Sequence, residues 1–301
     1  METKLFYKYK DDKLKYDHSL MADHHRVGYS AHTHNFPEIL FLKEGDVDFI
    51  IDGRHYRLQK NDLVIIPPLA IHEVCFESDH NYERHDIIFD ETLVGFPFLQ
   101  SLPAPLRVIN FDNNDSIINL FKRIDYYLDQ LQGDMVRIML VNLLQEICVN
   151  VTLAAGTVES DVYTQTNALV CEAIAYIDGH LLELSGLEEI CRELFITKSH
   201  LHHLFMKHLN ITPKKYISSK RLAMAQREIS FGAKPTEVYT KCGFSDYSTF
   251  YRAYKNQFGY PPSANVKPER TIYIYGERTQ DSQETVHKTQ NKHLVRMEDL
   301  S

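Results

Sequence analysis

The chain has 301 residues, 44% of them hydrophobic, and a formal net charge of −8. That length suggests about two domains, and the apolar share is ample for packed cores, which excludes a disordered or fibrous chain. The acidic excess lies in residues 1–163, whereas residues 164–270 hold more Lys and Arg than Asp and Glu. A basic segment beside an acidic one fits a nucleic-acid-binding domain joined to an unrelated one. Cys75, Cys148, Cys171, Cys191 and Cys242 show no C-x-x-C spacing. They read as reduced thiols in a cytoplasmic protein. The start Met-Glu-Thr-Lys-Leu lacks a signal-peptide pattern, and no apolar run approaches the ~20 residues needed to cross a bilayer, so no membrane partner is expected.

In chain order, residues 26–90 alternate as short strands. Ile39–Leu42 ends at Glu44-Gly45, and Val47–Ile51 runs into Asp52-Gly53, a strong two-residue hairpin signal. Tyr56–Leu58, Asn61-Asp62, the run Leu63–Ile66 and the stop Pro67-Pro68 follow. Regular short strands with tight turns predict a small β-barrel or jelly roll. His24 and His25 read as exposed strand-edge residues, and Asp79–Glu83 as a solvated loop.

Residues 115–152 change to helical period. Ile117, Leu120, Phe121, Ile124, Leu128 and Leu131 form one stripe; after Gly133, Val136, Leu140, Leu143, Leu144 and Ile147 form another. This antiparallel pair either packs on the barrel or makes a dimer interface. Residues 154–165 read as a linker. From 166 the pattern is helical throughout. Ser185-Gly-Leu-Glu188 reads as a capping box, Thr197 as the cap of one helix, and Thr212-Pro213 as the start of the next, which runs to about Ile229 with Gly232 near its end. Pro235 opens another short helix that Gly243 stops. The polar segment 271–301 reads as a flexible tail in which only Ile272–Tyr275 has the composition of a strand.

The helical half carries one pattern twice. Superposing Phe205 on Tyr254 places Leu201 on Phe250 and His203 on Arg252. Each copy follows a short apolar helix and precedes a turn ending in proline, Asn210–Pro213 and Gly259–Pro262. This is the layout of two helix-turn-helix units, which let one subunit reach two successive major grooves. Inward positions Leu187, Ile190, Cys191, Leu201, Leu204 and Phe205, then Val238, Tyr239, Phe250 and Tyr254, leave Lys198, Ser199, His202 and His203 outward in the first unit and Tyr247, Ser248, Tyr251 and Arg252 in the second. Arg252 can bond a guanine edge bidentately, while Lys207 and Lys255, at the ends of the readers, suit phosphate.

Gly243-Phe-Ser-Asp246, Ser248, Phe250, Arg252, Lys255 and Gly259–Pro262, with Leu201, Phe205, Thr212-Pro213, Tyr216, Arg221-Leu222 and Ala225 upstream, closely resemble the signature of the AraC/XylS family of bacterial transcription regulators. The resemblance covers about 185–264. It implies that Ser199, His202, His203, Tyr247, Ser248, Tyr251 and Arg252 read promoter DNA. The chain departs from the pattern at His203, where the family often has Arg, at Asn210, where Gly is usual, and at Pro261, where Ser or Thr is usual. Neutral imidazole at His203 weakens any guanine contact; Asn210 still suits a left-handed turn.

In the N-terminal half, His32, His34, Glu38 and Gly45, then Asn61, Pro67 and His72, have a spacing that resembles the two cupin motifs. Cupins hold a divalent metal with such residues at the barrel mouth, and imidazole with carboxylate suits Fe, Mn, Ni or Zn. Resemblance to the sensor domains of AraC-like regulators implies instead a metal-free pocket in which His32, His34, Glu38 and His72 bind an organic effector, a sugar or related polar metabolite. The resulting expectation is an α+β two-domain regulator: a cupin β-barrel with a helical dimerisation segment over 1–153, a linker over 154–165, an all-α domain with two helix-turn-helix units over 166–270, and a tail over 271–301. Its partners would be double-stranded promoter DNA, the effector, a second copy as homodimer, and RNA polymerase if it activates. No cofactor is expected. The alternative is a metal-dependent cupin enzyme using His32, His34, Glu38 and His72, with an accessory helical domain.

Overall fold

A computed structural model describes residues 2–22, 29–76, 81–103, 106–112, 114–156, 167–209, 211–264 and 271–273. His24, His25 and Asn210, most of the expected linker and nearly all of the tail lie outside the described residues.

The chain opens with a hairpin that the sequence reading missed, β1 (Glu2–Lys10) and β2 (Leu14–Ala22). Asp11 makes its turn, accepting the Lys13 and Leu14 amides at 2.7 Å each. There follow β3 (Tyr29–His34), β4 (Glu38–Glu44), β5 (Val47–Ile51), β6 (Arg54–Leu58), β7 (Asp62–Ile66), β8 (His72–Phe76), β9 (Tyr82–Phe89), a four-residue helix α1 (Phe98–Ser101) and β10 (Val108–Asn110). Asp52 and Gly53 have φ of 45° and 75°, the left-handed pair that a two-residue hairpin turn requires between β5 and β6. Tyr82 and Glu83, read as loop, begin β9, and Tyr82 is buried.

The strands form two antiparallel sheets. One runs β1-β2-β9-β4-β7-β10; the other places β3, β8, β5 and β6 side by side. Alternation along the strands decides what each face meets. Leu40, Leu42, Val64 and Ile66 point between the sheets, with Phe49, Ile51, Tyr56 and Val74 opposite. Ile39, Phe41, Leu63 and Ile65 point outward, into a second core beneath two helices. Both faces of β4 and β7 are therefore covered, which is why these strands read as unbroken apolar runs.

The covering helices are α2 (Asp115–Gln130) and α3 (Asp134–Ala155). Both predicted stripes are buried except Leu131, which is half-buried. The pair thus packs on the barrel. α3 runs into the stretch expected to be linker. It is also apolar enough, by length and composition, to cross a membrane (mean hydropathy 1.7), contrary to the reading of its sequence. The cause is a second apolar face: Met135, Ile138, Val149 and Leu153 are exposed on the side away from the barrel.

The helical half comprises α4 (Ala168–His180), α5 (Leu187–Glu193), α6 (Lys198–Leu209), α7 (Pro213–Ser230), α8 (Pro235–Lys241) and α9 (Tyr247–Phe258). Thr197 and Thr212 cap as expected, accepting from the His200 and Lys215 amides at 3.1 and 3.2 Å. The capping box needs correction. Gly186 takes the cap position of α5 without a side-chain bond, Ser185 is bonded by Glu189, and Glu188 reaches Lys198 instead. The extended backbone at Gly186 shifts the reciprocal partner by one residue.

The last element, β11 (Thr271–Tyr273), comes after the helical half and returns to the barrel. It pairs antiparallel with β3 in a register that sets Tyr273 opposite His32 and Thr271 opposite His34.

Candidate DNA interface and effector site

Each unit is a support helix, a turn and a reader. Leu201 and Phe205 of α6 pack with Ile190 of α5 in one core; Phe250 and Tyr254 of α9 pack with Val238 of α8 in another. The superposition inferred from sequence extends to the caps: Thr197 and Asp246 are equivalent, and Asp246 accepts the Thr249 amide at 2.7 Å. Lys198, Ser199, His202, His203 and Lys207 are exposed on α6, and Ser248, Arg252 and Lys255 on α9. Two expected readers are less free. Tyr247 is half-buried, its ring 5.6 Å from Tyr239 and 5.8 Å from Phe250, and Tyr251 is half-buried beside it. The aromatic core of the second unit holds Tyr247, so only its edge faces outward. Lys198 is tied to Glu188 of the support helix.

Arg221 of α7 fixes the two units against each other. Its guanidinium donates to the carbonyls of Leu181 and Leu184 at 2.8 and 2.6 Å and to that of Gly243 at 2.8 Å. Gly243 has φ of 78°, and a Cβ there would stand 2.7 Å from Arg221 Nε and 2.9 Å from the Leu182 carbonyl oxygen. Only glycine fits both the turn and the arginine.

The four polar residues of the barrel converge. Inward alternation carries Glu38 to the same face as Leu40 and Leu42, and His72 to that of Val74 and Phe76, while His32 pairs with His72 across β3 and β8. His34, Glu38 and His72 offer ligand atoms within 4.8 Å of one another. His34 Nε2 lies 2.5 Å from Glu38 Oε2, His72 Nε2 lies 3.4 Å from the same oxygen, and the His32 ring centroid is 4.1 Å from that of His72. The site is not at an open mouth as expected: His34, Glu38 and His72 are 0%, 5% and 2% exposed. Burial pushes the His34 imidazole toward its neutral form. Burial alone would raise the Glu38 carboxyl, but the hydrogen bond from His34, with His72 beside it, outweighs that and holds Glu38 well below the usual range.

The site abuts the helical half. Asp52, at the tip of the β5–β6 hairpin, accepts from Tyr216 Oη of α7 at 2.8 Å and from the Ile71 amide at 3.0 Å. Lys220 of α7, 3% exposed, stands 3.4 Å from Asp52 and donates to both carboxylate oxygens of Asp178 at 2.7 and 2.8 Å. Asn35 donates to Gln226 of α7 at 3.1 Å. Gly53 is wedged so tightly that a Cβ would meet Val170 at 3.0 Å and Leu209 at 3.1 Å. A cleft of about 400 Å³ opens beside this contact, between Pro68-Leu69 and Asp178, Lys220 and Met224. Sequence reasoning took Asp52 only as a turn residue and gave Asn35 no role; nothing in their spacing signalled these contacts.

A further polar cluster went unnoticed. His18 lies 2.8 Å from both Glu83 and Asp125, and Tyr16 Oη links His85 Nδ1 (2.7 Å) to Asp125 (2.6 Å). Tyr16 joins the barrel to α2 through these bonds.

Comparison with known proteins places both halves. Residues 20–107 match the model of an AraC-like ligand binding domain and residues 190–267 that of a helix-turn-helix domain. The HTH-type transcriptional activator RhaS of Mannheimia succiniciproducens is 23% identical over 245 residues, covering 78% of this chain and 88% of its own. The probable transcriptional regulator LumQ of Photobacterium leiognathi is 34% identical over 89 residues, 29% of this chain and 36% of its own. Among solved structures, an apo single-site variant of ToxT from Vibrio cholerae aligns over 85% of this chain and 97% of its own, with 14% identity and a TM-score of 0.40.

Proposed function

The chain belongs to the AraC family of transcription regulators, and from that premise we propose how it works: α6 and α9 read promoter DNA, and a ligand at the barrel site governs how the two readers are presented. The reading positions are Lys198, Ser199, His202, His203, Tyr247, Ser248, Tyr251 and Arg252, with Lys207 and Lys255 on phosphate. The effector positions are His32, His34, Glu38 and His72. A DNA-binding half and a ligand-binding half are what the family comprises; the residues and the coupling are the proposal.

The observation that carries it is the position of α7. This helix of 18 residues spans about 27 Å at 1.5 Å per residue. With the half-widths of the flanking units, that suits readers seated in grooves ~34 Å apart. Tyr216, Lys220 and Gln226 of the same helix bond residues next to the effector site. A ligand that shifts the hairpin or the loop before β8 therefore acts on the spacer between the readers. Coupling of this kind typically amounts to ~1–3 kcal/mol.

The exposed apolar face of α3 supports a homodimer, since Met135, Ile138, Val149 and Leu153 would otherwise stay in water. A cytoplasmic setting follows from the family's work on DNA, and contact with RNA polymerase applies if the protein activates. The alternative of a cupin enzyme loses ground to the family assignment.

The test is binding to labelled DNA upstream of its own and neighbouring genes, at ~150 mM salt with excess nonspecific competitor, because basic surfaces hold any DNA at low salt. A competitor-resistant complex is expected. Its absence from every fragment, with and without cell-extract metabolites, would refute the reading.

A further inference from the structure

A second buried cluster lies on the outer face of the six-stranded sheet, beneath α2, with the sheet between it and the effector residues. His18 of β2 and His85 of β9 stand opposite each other, their ring centroids 3.9 Å apart. Asp125 reaches them from α2, and ligand atoms of the three lie within 4.8 Å of one another. The hydrogens of the cluster follow from its acceptors. The Glu83 carboxylate, 2.8 Å from His18 Nε2, only accepts, so that nitrogen carries the hydrogen. Asp125 Oδ1, 2.6 Å from Tyr16 Oη, takes the one Tyr16 hydrogen. His18 Nδ1 is left over. It is buried and 2.8 Å from Asp125 Oδ2, yet outside the directions of a hydrogen bond.

A nitrogen lone pair and a carboxylate oxygen at that distance repel unless a cation lies between them. A proton belongs near the line joining the two atoms. A metal ion sits off that line: bonded at ~2.1 Å to both, it subtends about 85° between them, close to the right angle of six-coordinate ions. The surroundings match. Glu83 holds the far nitrogen of His18 and Tyr16 the far oxygen of Asp125, the usual outer support that aims metal ligands. Lys43, 2.7 Å from Glu83, fixes that carboxylate in turn. At a bulge in β1 between Leu5 and Tyr7, Phe6 stands 4.8 Å from His18, and Phe121 of α2 stands 4.9 Å from His85, so apolar rings close two sides. Asp125 and Glu83 keep 17% and 13% of their side-chain exposure, which leaves a way in. His85 Nδ1 lies 2.7 Å from Tyr16 Oη, a contact that a bound ion replaces.

We propose that this cluster is a structural site for one divalent transition-metal ion, held by His18 Nδ1, His85 Nδ1 and the Asp125 carboxylate, which pins α2 to β2 and β9. Imidazole and carboxylate donors without thiolate select zinc, cobalt, nickel, iron or manganese over calcium and magnesium. α2 and α3 share one core with the outer face of this sheet, so the ion firms the platform that presents Met135, Ile138, Val149 and Leu153. The site is separate from His32, His34, Glu38 and His72 and does not depend on how the chain reads DNA.

The experiment uses tag-free, full-length protein, stripped by chelator, loaded with Co²⁺ and passed through a desalting column; metal analysis counts the ions retained per chain. The wild type is expected to retain one ion more than His18→Gln and Asp125→Asn. Counting by difference cancels any ion held elsewhere, and Glu38→Gln should keep this one. With free Co²⁺ at ~100 times Kd, the thermal midpoint of the wild type should rise by at least ~5 °C and that of the two ligand variants should not. Tyr16→Phe loses only the hydroxyl that aims Asp125 and should bind Co²⁺ ~10-fold more weakly. Circular dichroism checks that each variant is folded; if both ligand variants fail to fold, an affinity unchanged in Tyr16→Phe overturns the site. Equal retention by the wild type, His18→Gln and Asp125→Asn overturns it as well. So does an ion lost in Glu38→Gln but kept in Asp125→Asn, which belongs between the sheets. Retention without a rise in midpoint overturns the structural role of the ion.

Discussion

Replacing Tyr216 by Phe removes one hydroxyl from a side chain that is 0% exposed. The ring keeps its edge contact with Phe205 at 5.6 Å and its place 4.9 Å below Lys220 Nζ. The loss is confined to the 2.8 Å bond to the Asp52 carboxylate, which joins barrel to helical half. A hydrogen bond to a charged group contributes ~1.5–3 kcal/mol net. At 1.4 kcal/mol per factor of ten, that weakens the docking of the two halves ~10- to 150-fold. The value can be isolated with Asp52→Gly, which keeps the left-handed turn and deletes the carboxylate. Urea unfolding of the wild type, both single variants and the double variant, followed by helical circular dichroism, gives a double-mutant cycle. The expected coupling energy is ~1.5–3 kcal/mol; a value under ~0.5 kcal/mol, within ordinary additivity, would show that the bond does not hold the halves together.

Arg252→Ala should weaken specific DNA binding by ~1–3 kcal/mol, one good base contact, and leave the unfolding of the barrel unchanged; an unaltered gel-shift affinity would remove Arg252 from the reading surface. Leu153→Asp charges the exposed face of α3 at a residue 69% exposed, and sedimentation should then show the dimer giving way to monomer with the fold intact. His85 is held well below its usual value, first by burial and then by its neighbours His18 and Lys43. Below pH ~6.5 the unfolded chain takes up a proton that the folded one refuses, so this stabilisation is present above that pH and lost as pH falls. The urea midpoint should drop between pH 7.5 and 5.5, less steeply in His85→Gln; a midpoint that does not move contradicts the burial argument.

Local signals carried the sequence reading far. The hairpin at Asp52-Gly53, the caps at Thr197 and Thr212, the stripes of α2 and α3 and the repeated reader pattern all depend on residues close together in the chain, and the structure returns each of them. The β1–β2 hairpin escaped because Lys and Asp alternate there with Tyr, whose burial beneath the covering helices no local pattern declares. The spacing of His32, His34, Glu38 and His72 brought the right residues together but not their depth, which follows from how the two sheets close. Tyr247 looked outward by helical period and is half-covered because Tyr239 lies beside it. The contacts of Asp52 with Tyr216 and of Asn35 with Gln226 join distant parts of the chain, and composition has no means of announcing them.

The register of β11 makes the barrel depend on the far end of its own chain. With that strand in place, His32 is paired on both sides, with His72 of β8 and Tyr273 of β11. A version of the protein cut after α9 leaves β3 as a bare edge, whose free amides and carbonyls are a template for any other strand. Such a fragment is prone to stick to itself, or to borrow the missing strand from an intact molecule. Shortening or extending the chain beyond Pro262 is therefore an intervention in the sensor, although the cut is made beside the reader.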